Sequence, residues 1–326
     1  MHTKSTSKII FALIECTMLF SKKKNIMQKV PYIWKNGKFL NWDDAKTHLI
    51  THTLHYSAGA FEGIRFYDTK KGPAIFRLKE HTKRLFYSAK ALDMKMQYSQ
   101  KEINEAIIKL IKKNKIKKGY IRPLVYYGEG RMGLSTKGFL PDTMIAAWGW
   151  GSYLGEHAVR VKISKYMRIH PASTVSDAKL CGHYTNSILA SIDAYKNGYD
   201  EALLLDYKGH VAEGPGENIF MVKQKTIYTP SVGTILPGIT RDAIMTLARD
   251  LGYKVVEKNI KPEELKRADE AFFTGTAAEV SPISSIDGKK LKLAEGGPVT
   301  MHLKEEFLKI VNGENKKYSK WLTVVQ

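Results

Sequence analysis

The chain has 326 residues, of which 43% are hydrophobic, and its formal net charge is +20. This composition excludes an intrinsically disordered protein, and the length is sufficient for two domains. No apolar run reaches the roughly 20 residues that a membrane helix needs, so we expect no membrane span. The only cysteines, Cys16 and Cys181, cannot form a disulfide framework and lack metal-site spacing. We therefore predict no metal and a reducing, cytoplasmic location.

The excess of basic residues raises the question of nucleic-acid binding, because clustered lysines attract polyphosphates. The lysines are spread along the chain, however, and the two densest clusters, 22–24 and 112–118, lack the interleaved aromatic side chains of a strand-binding surface. Solvated basic faces explain these clusters better. We predict no nucleic-acid partner and keep a basic nucleic-acid-binding protein as a remote alternative.

Residues 1–30 form an N-terminal extension that differs from the rest of the chain. Its apolar run from Ile9 to Phe20 is flanked by lysines, as in a secretory signal, but Glu15 interrupts the run and no small-residue cleavage pattern follows. We interpret the extension as disordered or as a start-site artefact, with translation beginning at Met27. A peripheral membrane anchor is the alternative.

After residue 30, short apolar stretches alternate with helical patterns, which predicts a mixed α/β fold. One helix is especially clear, because Ser99 and Glu102 form a capping box and apolar residues then recur on one face over 103–111. Strands are predicted over 120–127 and 144–150.

A segment rich in glycine and serine follows residue 150 and predicts a domain boundary. We predict an N-terminal α/β domain over 31–151, an interdomain loop over 152–159, a C-terminal domain over 160–315 and a tail over 316–326. The C-terminal domain is expected to contain a helix over 185–196, then short strands separated by turns, as in an antiparallel meander, and a further helix before Gly252.

Three clusters contain residues suited to chemistry. In the first, 236–241, Gly238 lets the backbone approach a ligand and Thr240 is predicted as the N-cap of a helix, which would suit a phosphate monoester, although most threonine N-caps bind no ligand and on this evidence alone that alternative is favoured. In the second, 213–218, Glu213 could face a pyridine cofactor ring, although a simple turn needs the same residues. In the third, 274–279, N–H groups at a strand end could bind a carboxylate, and a plain turn is again the alternative.

Together with other motifs, these clusters make the chain from Tyr32 to about residue 312 resemble the branched-chain aminotransferases, which are class IV pyridoxal-phosphate enzymes of fold type IV. Each motif is weak alone, but their joint order is specific. The motifs are Trp34 with Asn36-Gly37, His55-Tyr56, Phe61-Glu62-Gly63-Ile64-Arg65, Tyr120-Ile121-Arg122-Pro123-Leu124, Ala178-Lys179, Glu213-Gly214 with Gly216-Glu217-Asn218, Leu236-Pro237-Gly238-Ile239-Thr240-Arg241 and Thr274-Gly275-Thr276-Ala277.

The resemblance implies a smaller α/β N-terminal domain, a larger C-terminal domain with a mostly antiparallel barrel-like sheet, and pyridoxal 5'-phosphate in the cleft between them. It implies that Lys179 holds the cofactor covalently and acts as the base that moves a proton during the reaction. From the residues alone, Lys179 would be taken for a surface lysine. The other cofactor contacts implied are Glu213 for the pyridine nitrogen, Tyr184 for the phenolic oxygen, and Arg84, Ile239, Thr240 and Thr276 for the phosphate.

The resemblance also implies a substrate pocket. Tyr120 and the N–H groups of Thr276 and Ala277 would hold the α-carboxylate, and Arg122 with two tyrosine hydroxyls would receive the distal carboxylate of glutamate. The apolar wall implied consists of Tyr56, Phe61, Leu134, Trp150 and Tyr153, the two tyrosines being those that assist Arg122.

The implied reaction is a reversible ping-pong transfer of the amino group of L-leucine, L-isoleucine or L-valine to 2-oxoglutarate, giving branched 2-oxo acids and L-glutamate, in a homodimer or larger homo-oligomer. A D-amino-acid aminotransferase and an aminodeoxychorismate lyase of the same fold are the alternatives. Cys181 and His183 depart from the residues expected between Lys179 and Tyr184. We expect a packed cysteine and a surface histidine, the alternatives being oxidant sensitivity and a shifted pH optimum.

Overall fold

The computed structural model describes residues 28–151, 154, 155 and 157–325. Cys16, Tyr153 and nearly all of the predicted N-terminal extension lie outside these residues. Within them, no helix is long and apolar enough to cross a membrane. The strands are β1 Tyr32–Lys35, β2 Lys38–Asn41, β3 Gly59–Phe61, β4 Ile64–Thr69, β5 Gly72–Phe76, β6 Gly119–Tyr126, β7 Asp142–Trp148, β8 Val159–Ile163, β9 Glu201–Leu205, β10 Val211–Glu213, β11 Asn218–Lys223, β12 Thr226–Thr229, β13 Val255–Glu257, β14 Glu270–Gly275, β15 Glu279–Ile286, β16 Lys289–Lys290 and β17 Leu322–Val324. The α-helices are α1 His52–Tyr56, α2 Leu78–Lys90, α3 Gln100–Asn114, α4 Tyr184–Lys196, α5 Ile239–Asp250, α6 Pro262–Leu265 and α7 Pro298–Val311.

The first sheet is antiparallel and has the strand order β17-β5-β4-β6-β7-β1-β2, with β3 paired to β6. Helix α3 covers it with an apolar face, in which Ile103, Ile107 and Leu110 are fully buried. The predicted capping box starts this helix, because the Ser99 hydroxyl accepts the Glu102 N–H and the Glu102 carboxylate accepts the Ser99 N–H. The helix therefore begins where the sequence predicted.

The second sheet closes into a barrel. Strands β10, β9, β8, β15, β14 and β11 are neighbours in that order, and β10 pairs with β11 to complete the ring. Strand β8 runs parallel to β9 and β15, whereas the other four pairs of the ring are antiparallel. The predicted α/β fold class with a mostly antiparallel barrel-like sheet is confirmed.

The end of the chain returns to the first sheet. Strand β17 lies within the predicted tail and pairs with β5, so that Leu322 is opposite Phe76. Trp321, just before this strand, packs under the Arg77 guanidinium at 5.0 Å and against Phe76. The segment after the barrel therefore stabilises the N-terminal sheet. The predicted domain boundaries stay predictions.

Candidate active site

A cavity of about 560 Å³ lies between the two sheets and is lined by residues from both. It brings together most of the residues predicted for the site: Phe61, Arg84, Tyr120, Arg122, Trp150, Lys179, Tyr184, Glu213, Ile239, Thr240, Thr276 and Ala277. Tyr56 and Leu134 are not in its wall; their side chains are 41% and 83% exposed. Tyr153 lies outside the described residues.

Lys179 lies on a short segment that bridges the N-terminal sheet and α2. Its backbone N–H donates to the Ser88 hydroxyl at 2.9 Å, and its carbonyl accepts the Phe61 N–H at 3.1 Å. The amine Nζ lies 2.6 Å from the Tyr184 hydroxyl and 5.1 Å from the centre of the Phe61 ring. Both ends of this lysine are therefore held, and its amine faces the cavity.

Glu213 ends strand β10 and is buried at the cavity wall. Its carboxylate accepts a hydrogen bond from Arg168 Nε at 2.5 Å, one from Asn218 Nδ2 at 3.0 Å, and the Leu236 N–H at 3.1 Å. Burial raises the pKa of Glu213, and the Arg168 charge and the Leu236 N–H counteract that rise. The cavity therefore contains a buried carboxyl group that is hydrogen-bonded on several sides.

Arg84 is held by a buried carboxylate. Glu62 Oε1 accepts Arg84 Nε at 2.6 Å and Glu62 Oε2 accepts Nη2 at 3.0 Å, while Arg84 Nη1 donates to the Pro237 carbonyl. His81 Nδ1 donates to the same carboxylate at 2.7 Å. Burial opposes the ionisation of Glu62, but the Arg84 charge and His81 hold its pKa well below the ordinary value. The planar guanidinium therefore has one orientation beside the start of α5.

Helix α5 begins at Ile239, and its N-cap is Gly238. The prediction that Thr240 is the N-cap is wrong by two residues; Thr240 is in the first turn. A β-carbon at Gly238 would lie 1.9 Å from Asn218 Oδ1, so a larger residue cannot take this place without moving the buried amide. The free N–H groups of the first turn, together with Arg84, form a site for a doubly charged anion.

Tyr120 stands on β6 among aromatic rings. Its ring lies 4.5 Å from Trp150 and 5.3 Å from Trp148. A β-carbon at Gly63 would lie 1.8 Å from the Tyr120 hydroxyl, so the absence of a side chain there makes room for that hydroxyl. Arg122, two residues along the strand, packs over the Phe61 ring at 4.8 Å. Its buried Nε has no hydrogen-bond partner among the described residues, so it is available to an anion.

The turn between β14 and β15 includes Thr276 and Ala277, whose N–H groups are predicted to bind substrate. Arg65, buried on β4, reaches this turn from the other sheet and donates to the Ala277 carbonyl at 3.3 Å. It also donates to the Gly151 carbonyl at 2.7 Å and pairs with Glu279 at 3.2 Å. One guanidinium thus connects the turn with the segment that follows Trp150.

Several residues of the site were missed at the level of sequence. Glu62 and Arg65 were part of a recognised motif but had no assigned role, and Arg168 had no signal at all among so many basic residues. His183 is half-buried in the cavity wall, where its Nε2 lies 2.7 Å from the Thr174 hydroxyl, so the expectation of a surface histidine is wrong. Cys181 is packed as expected, and burial raises the pKa of its thiol.

The fold and the site define a class of protein. The family model described as "Amino-transferase class IV" matches residues 59–286, and the chain belongs to this family. The predicted family and fold type are therefore confirmed.

Individual relatives narrow the class. The chain is 48% identical over 298 residues to a branched-chain-amino-acid aminotransferase of Pseudomonas aeruginosa, covering 90% of this chain and 97% of the relative. The crystal structure of the Escherichia coli branched-chain amino acid aminotransferase is similar with a TM-score of 0.89 at 41% identity, covering 91% of this chain and all of the other. The branched-chain amino acid aminotransferase from Thermobaculum terrenum, whose crystal structure is of the PLP-form, has a TM-score of 0.87 at 34% identity, covering 91% of this chain and 99% of the other.

Proposed function

We propose that this protein transfers the amino group of L-leucine, L-isoleucine or L-valine to 2-oxoglutarate with the help of pyridoxal 5'-phosphate. The family match and the relatives confirm the predicted class of enzyme. The observation that carries the assignment to this cavity is the Lys179 amine, which lies 2.6 Å from the Tyr184 hydroxyl in a space that also contains a buried carboxyl group and an anion site.

The residues present fit the cofactor. Arg84 and the first turn of α5 would hold the phosphate, as predicted for Ile239 and Thr240, and Thr276 borders the same cavity. Glu213 offers a carboxylate for the pyridine nitrogen, and the Tyr184 hydroxyl would donate to the phenolic oxygen. When bound, pyridoxal phosphate supplies an electron-withdrawing ring that stabilises negative charge at the substrate Cα.

The chain's own residues then handle the substrate and its protons. Lys179 would hold the cofactor through its amine, and once a substrate amine takes its place it would be the base that removes the proton from the substrate Cα. Tyr184 orients the Lys179 amine through their hydrogen bond. Tyr120 and the N–H groups of the 276–277 turn would bind the α-carboxylate, which keeps Cα within reach of the lysine.

The pocket must accept both an apolar side chain and the carboxylate of glutamate. Phe61 and Trp150 provide apolar surface, and the unpartnered Nε of Arg122 would receive the distal carboxylate. When leucine is bound, the Arg122 charge remains over the Phe61 and Tyr120 rings, at 4.8 and 5.3 Å, which compensates part of its lost hydration.

We also propose a homodimer or larger homo-oligomer. Tyr56 and Leu134 are predicted pocket residues but are exposed, and each lies two positions from another exposed apolar residue, Leu54 and Met132. Monomeric proteins rarely expose such residues in groups, so we expect a second copy of the chain to bury them in a subunit interface. Sedimentation velocity should give at least twice the mass of the chain, and a monomer would contradict the proposal.

The cytoplasm is the proposed location, because two cysteines in 326 residues suit a reducing compartment. A nucleic-acid partner is not proposed; salt-sensitive retention on DNA by a protein that binds no cofactor would favour that remote alternative.

A substrate panel tests the function. We expect amino transfer from L-leucine, L-isoleucine and L-valine to 2-oxoglutarate. Activity with D-alanine but not L-leucine would favour a D-amino-acid aminotransferase, and release of pyruvate from aminodeoxychorismate would favour a lyase. Borohydride reduction of the holoenzyme followed by peptide mapping should place the pyridoxyl label on Lys179. A label on any other lysine would refute the site.

A further inference from the structure

Arg168 is a buried arginine that none of the proposed steps uses. It lies between β8 and α4, and its side chain is only 9% exposed. Its Nε donates to Glu213 Oε1 at 2.5 Å, and its Nη2 donates to the Ser176 carbonyl at 2.9 Å. The backbone is held as well, since the Arg168 N–H donates to the Leu205 carbonyl at 2.7 Å. One guanidinium therefore joins Glu213 to the segment three residues before Lys179.

We infer that Arg168 is a positioning residue for the cofactor: it keeps the Glu213 carboxylate ionised and directed at the pyridine nitrogen, and ties it to the Lys179 segment. The inference rests on the proposed role of Glu213. Arg168 would therefore help to position both proposed cofactor contacts, the Glu213 carboxylate and the Lys179 amine.

The charge of Arg168 is needed because the other hydrogen-bond partners of Glu213 are neutral and the Lys179 charge acts on it more weakly. Asn218 and the Leu236 N–H donate hydrogen bonds, but Arg168 is the only ion-pair partner of Glu213 among the described residues. A buried carboxylate without a counter-charge takes up a proton. A protonated Glu213 could no longer accept a hydrogen bond from a protonated ring nitrogen, so that nitrogen would lose the partner that stabilises its positive charge.

The neighbouring histidine does not replace this charge. Burial and the positive charge of Arg168 lower the pKa of His183, so its imidazole stays neutral near pH 7. The shape of arginine is needed too. Its donors diverge to the carboxylate on one side and to the carbonyl on the other, whereas a lysine ammonium at the end of a flexible stem does not span both.

Solid-state NMR of holoenzyme loaded with ¹⁵N-pyridoxal phosphate measures whether the ring nitrogen is protonated, independently of activity. We expect the protonated signal in the wild type and the unprotonated signal in both Glu213→Gln and Arg168→Met. The dissociation constant of the cofactor should rise on the order of tenfold or more in Arg168→Met. The control is Arg160→Met, which removes a surface arginine paired with Asp200 and should match the wild type in both measurements.

Arg168→Lys keeps the charge and loses the second contact, so we expect a protonated nitrogen with weakened cofactor binding. If Arg168→Met does not fold, the test is Arg168→Lys: the inference is overturned if this variant binds the cofactor as tightly as the wild type does. A protonated nitrogen in Arg168→Met, with an unprotonated one in Glu213→Gln, overturns the inference alone. A protonated nitrogen in Glu213→Gln overturns the proposed role of Glu213, and the inference with it.

Discussion

Replacing Glu62 with glutamine is expected to destabilise the cofactor-free protein by about 3–5 kcal/mol, because it leaves the largely buried Arg84 guanidinium without its counter-ion. Glu62 is fully buried and accepts two hydrogen bonds from Arg84, at 2.6 and 3.0 Å. Charge-assisted bonds contribute about 1.5–3 kcal/mol each. Two unit charges about 4 Å apart at an effective dielectric constant near 20 attract by about 4 kcal/mol, which agrees with the expected loss of stability. Glutamine has nearly the same volume, so no cavity adds to the effect.

Urea unfolding of Glu62→Gln, Arg84→Met and the double variant would measure this energy. The double variant should lose about 3 kcal/mol less than the sum of the single variants, because the two charges depend on each other. The control is Glu105→Gln, which removes an exposed 3.8 Å pair with Lys109 and should cost less than about 1 kcal/mol. If Glu62→Gln costs no more than this control, the reasoning is refuted.

The same pair predicts a pH dependence. Because the pKa of Glu62 is lowered in the folded state, its contribution is fully present above the ordinary value of 4.5 and is lost as the pH falls below it. The stability difference between wild type and Glu62→Gln should therefore shrink between pH 5 and pH 3. A constant difference over that range would contradict the assigned charge.

Two further predictions concern Glu201 and Gly63. Burial raises the pKa of Glu201 to about 7. The contribution of Glu201 to folding stability is therefore fully present below pH 4.5 and is lost as the pH rises through 7. Glu201→Gln should raise the melting temperature at pH 8 and leave it nearly unchanged at pH 4.5. In Gly63→Ala the new methyl group would overlap the Tyr120 hydroxyl, so KM for L-leucine should rise about tenfold. The control is Gly151→Ala, which has no described atom within 4 Å of its β-carbon and should leave KM unchanged. Equal KM values in the two variants would show that Tyr120 adapts.

Much of the candidate site could be predicted from the sequence, because its residues lie in short motifs at strand ends and a helix start. The sequence predicts that Gly238 lets the backbone approach a ligand, and the structure adds that a β-carbon there would overlap the Asn218 side chain. The role predicted for Lys179 rests on the order of the motifs. Composition could not distinguish it, since the chain has 52 lysines and arginines.

The residues that hold the site residues in place from distant parts of the chain could not be predicted in this way. Arg168 reaches Glu213 across 45 positions of sequence, and Arg65 reaches Ala277 across 212. Such contacts depend on how the barrel closes and how the two sheets face each other, which leaves no periodic trace in the local sequence.

Local patterns by themselves predicted the helices α3, α4 and α5 and many of the strands, and the motifs predicted an anion site at the start of α5 and Lys179 as the cofactor residue. Periodicity and capping act over a few residues, so they are visible in the chain. Only the tertiary structure decided that β17 returns to the N-terminal sheet, that Tyr56 and Leu134 face outward, and that Arg168 is the ion-pair partner of Glu213. The physical reason is that a buried charge needs a partner, and that partner can come from any part of the chain that the fold brings near.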